Sequence, residues 1–242
     1  MLEAKNITKS YSGHLIINGV DVQLEPGQIS VMIGPSGSGK TTLLKLLAML
    51  ETPDTGTISI DGTQYSFPSP PNQNPVKPWP KVTVVFQQLF LWPHLTILQN
   101  MTLPLTAGRR EASKEKLESL IELFDMSQFI YRYPNESSLG QRQRAALVRA
   151  LLLEPEYLLL DEITSSLDVE QVAIILTHLK DLAAQGIGIL TITHLLHFAH
   201  QAADRVIFMD HGEIIEQGGK EVLDAPKQER VQRFFSVIEA AS

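Results

Sequence analysis

The chain has 242 residues, enough to bury one large core. A hydrophobic share of 43% and a charged share of 19% are those of a globular protein and exclude a disordered or fibrous one. A formal net charge of -7 with no lysine- and arginine-rich run argues against a nucleic-acid partner, and the absence of cysteine excludes disulfides and thiolate metal sites.

The segment Met1-Leu2-Glu3-Ala4-Lys5-Asn6 has no apolar stretch of signal-peptide type. The longest apolar stretches, residues 43–50 and 145–160, are interrupted by Lys45, Arg149, Glu154 and Glu156. They fall short of the roughly 18 to 20 apolar residues that cross a bilayer, so any membrane role is expected to run through a partner.

In chain order, residues 20–24 alternate and end at Glu25-Pro26-Gly27, a strand followed by a turn. Residues 29–33 are a short continuous apolar run before a glycine-rich loop, the pattern of a buried parallel strand. Residues 43–50 have helical spacing and stop before Pro53, and residues 57–60 read as a strand entering the turn pair Asp61-Gly62. Between Phe67 and Pro80 stand Pro68, Pro70, Pro71, Pro75, Pro78 and Pro80, which predict an irregular surface loop. A ligand for a proline-recognition module is the alternative there. Residues 82–86 resume strand character.

From Leu91 to Leu153 the periodicity is helical. Leu117, Leu120, Ile121 and Phe124 share one face, and residues 141–153 form another helix, stopped near Pro155. Residues 157–160 are a very apolar strand ending in Asp161-Glu162. Val172, Ile175, Leu176, Leu179 and Leu182 line a further helix, and residues 187–193 are a strand followed by His194. Residues 206–209 and 213–216 read as a hairpin about His211-Gly212, and Val231, Phe234, Phe235 and Ile238 mark a last amphipathic helix. Strands alternating with helices predict an α/β fold with a mostly parallel sheet, into which the helical middle is inserted.

Two motifs carry chemistry. Gly34-Pro35-Ser36-Gly37-Ser38-Gly39-Lys40-Thr41 matches G-x-x-x-x-G-K-[ST] at every fixed position, between a strand and a helix. Glycines let backbone N–H groups wrap a polyphosphate, and the helix turns its N-terminus to the same anion. Lys40 is then expected at the β- and γ-phosphates and the Thr41 hydroxyl on Mg²⁺. Downstream, Asp161 is placed to hold Mg²⁺ and Glu162 to polarise the attacking water. Together these predict a P-loop NTPase that uses ATP and Mg²⁺.

Further residues narrow the resemblance. Ser165-Ser166-Leu167-Asp168 follows the paired acids, Gln87 follows the strand at 82–86, His194 follows Thr191-Ile192-Thr193, and Tyr11 precedes the phosphate loop. In this order the chain resembles the ATP-binding subunits of ABC transporters over nearly its whole length. The segment Phe86-Gln87-Gln88-Leu89-Phe90-Leu91-Trp92-Pro93-His94-Leu95-Thr96 is similar to subunits of polar amino-acid importers, as are residues 203–212 and Pro226-Lys227-Gln228-Glu229-Arg230. The resemblance implies a RecA-like core with an antiparallel β-subdomain (residues 1–90 and 155–225), an inserted α-helical subdomain (91–154) and a C-terminal helix (226–242).

It also implies roles. Tyr11 would stack on adenine. Gly34 to Thr42, including Pro35, Ser36, Gly37, Ser38, Gly39, Lys40, Thr41 and Thr42, would bind ATP. Thr41, Gln87 and Asp161 would hold the metal, and Glu162, His194, Lys40 and Gln87 would serve catalysis. Ser138, Gly140, Gln141 and Asp168 would reach ATP held by a second subunit, in a head-to-tail dimer expected to be a homodimer. The system would include membrane permease subunits, a substrate-binding protein, and a position on the cytoplasmic face of a bacterial inner membrane.

The chain departs from the family pattern at the signature. Where the family has L-S-G-G-Q, it has Ser137-Ser138-Leu139-Gly140-Gln141, and Ile163 replaces the usual proline after the acids. These departures bear on hydrolysis rate more than on nucleotide binding. They leave a low-turnover regulatory subunit, or an ABC ATPase of a different transport or extrusion system, as alternatives. An ABC protein acting on DNA or ribosomes would be expected to carry a coiled-coil insertion or a second ATPase copy.

Overall fold

The computed structural model describes residues 1–69, 77–105, 113–164, 167 and 169–241. Strands β1 (Leu2–Tyr11) and β2 (His14–Leu24) form a hairpin, and β3 (Ile29–Ile33) leaves it to begin a second sheet and lead into α1 (Lys40–Leu47). Strands β4 (Thr55–Ile60) and β5 (Thr63–Phe67) return to the first sheet, which is antiparallel with order β2-β1-β4-β5. The chain continues through β6 (Val82–Val85), α2 (Ile97–Thr102), α3 (Lys114–Leu123), α4 (Leu139–Leu151) and β7 (Tyr157–Asp161). It ends with α5 (Val169–Ala184), β8 (Gly188–Ile192), α6 (Leu196–Ala202), β9 (Arg205–Asp210), β10 (Glu213–Gly218), α7 (Glu221–Asp224) and α8 (Glu229–Ala241).

The second sheet has the order β10-β9-β3-β8-β7-β6, with only β10 antiparallel to its neighbour. Strands β3, β7 and β8 are buried along their whole length. A strand covered on both faces needs no polar side, which is why these segments are continuous apolar runs. Ile29 pairs with Ile189 and Leu160 with Thr191. That register brings the ends of β3, β7 and β8 to one edge, where ligands of open α/β sheets collect.

Two cores result. The larger lies between this sheet and the helices, and includes Phe124, Leu147, Leu158 and Leu179. The other is enclosed by the two sheets and α1, around Ile17, Leu43, Leu47 and Ile207. The helical middle is not continuous: α2, α3 and α4 are separate, with a one-turn 3₁₀ segment at Pro134–Glu136 before α4.

The sequence reading did not predict β1, β5, α6 or α7. Strand β1 pairs with β2 through several register shifts, so its apolar residues Leu2, Ala4 and Ile7 do not alternate cleanly. Helix α1 begins at Lys40, ahead of the apolar spacing, because its first turn faces a ligand edge and not the core. Both turn pairs behave as expected: Asp61-Gly62 and His211-Gly212 have positive φ at both residues and close two-residue hairpins. In the proline-rich stretch Phe67 ends β5, whereas Pro70, Pro71 and Pro75 lie outside the described residues.

Candidate functional site

The phosphate loop leaves β3 and wraps to α1 under tight backbone constraints. A Cβ on Gly34 would lie 1.9 Å from the Met209 carbonyl oxygen, so no other residue fits there without moving β9. Gly39 has φ 103 and caps α1 without a side-chain bond, in a region that glycine alone enters cheaply. Ser36 and Gly37 form the exposed tip, while Ser38 and Lys40 are buried. The first N–H groups of α1 have no partner within the helix and point toward the loop.

The Lys40 ammonium donates to the carbonyls of Gly34 and Pro35, both at 2.8 Å, and to Ser38 Oγ at 3.3 Å. Burial pushes its pKa down, while the charges of Glu162, Asp161 and Asp210 favour the ammonium form. Thr41, next in line, donates its hydroxyl to Asp161 at 3.0 and 3.2 Å from the two carboxylate oxygens. Burial raises the Asp161 pKa; the Thr41 hydrogen bond opposes this, and Glu162 adds to it. A hydroxyl oxygen beside a half-desolvated carboxylate at a phosphate-binding helix is a donor set that suits a hard divalent cation, so the residues present fit Mg²⁺.

Glu162 follows β7 with φ 49, and its N–H donates to the Ile192 carbonyl at 3.0 Å. A non-glycine residue in this left-handed region costs roughly 1 kcal/mol and turns the carboxylate away from the strand line. There its Oε2 lies 4.0 Å from His194 Nδ1. The Thr193 hydroxyl accepts from the Leu195 N–H at 3.1 Å and meets Thr164 Oγ1 at 3.5 Å, fixing the turn that presents His194.

Tyr11 stands at the end of β1, partly exposed, with its hydroxyl bonded to Glu51. Lys9 lies over the ring at 5.4 Å, and Glu51 also pairs with Lys45 of α1 at 3.1 Å. Gln87 is exposed just past β6, and Thr42 is half-buried on α1. Ser138 caps α4: Gln141 N donates to its Oγ at 3.2 Å, and Ser138 N donates to Gln141 Oε1 at 2.9 Å. Leu139 is the first helical residue, without positive φ, and packs on the large core. Gly140 is buried against the Gln171 side chain. The structure therefore brings Lys40, Thr41, Asp161, Glu162 and His194 together, while the side chains of Ser138 and Gln141 cap one helix against each other's backbone. Asp168, with Ser165 and Ser166, lies outside the described residues.

Sequence reasoning missed several supporting groups. Arg149 of α4 donates to the carbonyls of Leu89 at 2.6 Å and Phe90 at 2.9 Å, gripping the segment after Gln87. Fully buried Asn100 bonds the Trp92 N–H and the carbonyls of Trp92, Leu95 and Thr96. An arginine and an asparagine on otherwise apolar helix faces were the available signals. Beside them an apolar groove of about 610 Å³ is lined by Trp79, Val84, Phe86, Ala146, Arg149 and Leu153. Among the described residues no helix is long and apolar enough to cross a membrane.

Known proteins resemble this chain over most of its length. Residues 17–165 match the family model described as ABC transporter. The chain is 38% identical to the arginine transport ATP-binding protein ArtM of Bacillus subtilis, covering 98% of this chain and 100% of that one. It is 40% identical to the L-cystine import ATP-binding protein TcyC of the same organism, with 98% of each covered. It is 35% identical to the glutamine transport ATP-binding protein GlnQ of Escherichia coli, covering 98% and 100%. Among solved structures, the dimeric post-hydrolysis state of the ATP-binding cassette MJ0796 bound to ADP and Pi superposes with a TM-score of 0.76 at 29% identity, covering 90% of this chain and 98% of that one.

Proposed function

The chain belongs to the ABC transporter family, and from that premise we propose that it binds MgATP at the Lys40 loop and hydrolyses it to drive import of a polar amino acid. The observation that carries this reading is the meeting of Thr41 and Asp161, 120 positions apart in sequence, beside Lys40 and Glu162. The cargo class rests on relatives named for arginine, cystine and glutamine transport.

In the proposed cycle, Tyr11 stacks on adenine, and residues 34–42 hold the phosphates through backbone N–H groups. Lys40 leaves its own carbonyls for the β- and γ-phosphate oxygens. Thr41, Asp161 and Gln87 would hold Mg²⁺, which supplies neutralising charge to the phosphate oxygens. Glu162 accepts the proton of the attacking water as it bonds to the γ-phosphorus, and the bond to the ADP oxygen breaks. His194 contacts the γ-phosphate and keeps Glu162 oriented.

Completion of the site requires a second copy. Ser138, Gly140 and Gln141 would reach across to the partner's nucleotide, the role also expected of Asp168 outside the described residues, so ATP closes the dimer and loss of phosphate reopens it. The solved cassette MJ0796 is dimeric, which supports that arrangement. The unit is organised as a nucleotide core with its β-subdomain (1–90, 155–225), a helical subdomain (91–154) and a C-terminal helix. A short helix of a membrane permease docks in the groove beside Phe86 and Arg149, on the cytoplasmic face, and a substrate-binding protein delivers cargo. The right-handed backbone at Leu139 supports turnover over a purely regulatory role, since leucine there needs no left-handed strain. Glu162→Gln tests the reading. It should bind MgATP, accumulate an ATP-dependent dimer on size exclusion and lose most turnover; parental turnover would place the base elsewhere.

A further inference from the structure

The β9–β10 hairpin is the back wall of the phosphate loop. Gly34 abuts the Met209 carbonyl, Gly212 N donates to the Ser38 carbonyl at 3.0 Å, and Asn18 N donates to the Gly212 carbonyl at 2.9 Å. Between Met209 and that turn sits Asp210, 3% exposed. Its Oδ1 accepts from the His211 N–H at 3.0 Å, and its Oδ2 accepts from Arg230 Nε at 2.6 Å. Its charge also acts on the Lys40 ammonium. One buried carboxylate in the wall of the phosphate loop is thus held by an arginine of the C-terminal helix, with the exposed His211 ring 3.8 Å from its other oxygen.

Helix α8 is seated on the same hairpin. Glu216 of β10 accepts from the Lys227 N–H at 2.9 and 3.1 Å and from the Gln228 N–H at 3.0 Å. Phe208 of β9 meets Phe234 and Phe235 with ring centroids 5.1 and 5.9 Å apart, and Val231 is fully buried. These apolar and capping contacts would seat α8 without Arg230. The arginine adds something they cannot, a charge opposite a carboxylate that water does not reach.

We propose that Arg230 is a positioning residue for nucleotide binding: it neutralises Asp210, so that the hairpin wall behind the phosphate loop stays in place and presents no bare negative charge to the phosphates. The inference rests on the reading that this loop binds MgATP. Without Arg230, Asp210 is a buried anion in the wall behind the phosphate loop, left with the His211 N–H, and it repels the polyphosphate. The loss falls on ATP affinity, because Glu162 and His194, which serve the chemical step, lie on other strands.

The test is titration calorimetry with MgATP on the full chain, together with KM and kcat. Arg230→Gln is expected to weaken MgATP binding and raise KM about tenfold with kcat little changed. Arg230→Lys should recover most of the affinity. Asp210→Asn/Arg230→Gln should bind within about threefold of the parent, because the uncompensated charge is gone. Phe235→Leu, which loosens α8 without touching charge, should lower Tm and leave ATP affinity alone. Parental affinity in Arg230→Gln, or an equal loss in Phe235→Leu, overturns the inference. If Arg230→Gln does not fold, the double variant decides: affinity lost there overturns the inference, and affinity kept supports it. A parent that binds no MgATP would instead remove the reading of the loop itself.

Discussion

The phosphate-loop region and the helical segment hold their functional residues by different means. Around the loop, Thr41, Asp161, Glu162 and His194 come from one helix start and the ends of two strands, β7 and β8, and parallel ladders between β3, β8 and β7 fix their spacing. In the helical segment, Ser138 and Gln141 are neighbours that cap one helix by themselves. Arginine side chains tie that segment together and to the chain before it, over the apolar core it shares with the sheet. Arg149 grips the carbonyls of Leu89 and Phe90, and Arg144 grips those of Phe124 and Asp125 at 2.7 and 3.2 Å. A site built on ladders fails in its chemistry when one group is changed. A segment held by side-chain donors is expected to fail by degrees, in how well it meets a partner.

The largest expected effect is at Lys40. Lys40→Ala is expected to abolish measurable hydrolysis and weaken MgATP binding, since no other described cation donates to the loop carbonyls. Full turnover with undiminished affinity would refute the site. Glu162→Gln comes next, slowing hydrolysis by roughly 10²–10⁴ while binding persists. Single-turnover kinetics separates the two, since only Lys40→Ala should lose the bound state.

Tyr11→Ala should weaken ATP binding by about tenfold, with Tyr11→Phe nearly parental, as stacking requires. The structure adds a rider. The Tyr11 hydroxyl is bonded to Glu51, which also pairs with Lys45, so a small loss in Tyr11→Phe would measure ring positioning and not stacking. Equal affinity in Tyr11→Ala would make the tyrosine a surface residue.

What could be read in the sequence follows the same division. The phosphate loop and the acids at the end of β7 were legible because their chemistry demands fixed types at fixed spacing. Their strands were legible because burial on both faces leaves an unbroken apolar run. Asp210, Glu51 and Arg230 were not legible, because each acts through contacts across 20 to 40 positions and no local pattern marks them. The β1–β2 hairpin was signalled by Ser12-Gly13, both at positive φ, but the shifted register of β1 hid the alternation beside it. Leu139 was legible as a departure. Its backbone, which decides what the departure costs, was not.

On the helical side a smaller effect is expected of Leu139→Gly. The leucine is half-buried on the core, so removing it should cost about 1–2 kcal/mol of stability. Relief of crowding across the dimer should raise turnover about threefold with ATP affinity unchanged. Turnover and ATP-driven dimerisation both equal to the parent would show that the departure has no mechanistic consequence.

The smallest expected effect lies where the two regions touch. His178 of α5 is buried against Phe124 at the end of α3, with ring centroids 4.3 Å apart, and its Nδ1 has no hydrogen-bond partner among the described residues. Burial holds its pKa below the usual histidine value; Arg144 of α4 pushes the same way, and Asp181 on its own helix opposes. In the unfolded chain the ring protonates near pH 6.5, whereas in the folded chain it stays neutral to lower pH. The unfolded state therefore binds more protons in that window, and stability must fall as pH drops from about 6.5 toward the folded value. His178→Phe keeps a ring against Phe124 and removes the titration, so its denaturant midpoint should fall less than the parent's over that range. An identical pH slope in the two proteins would show that the contact between core and helical segment does not sense this proton.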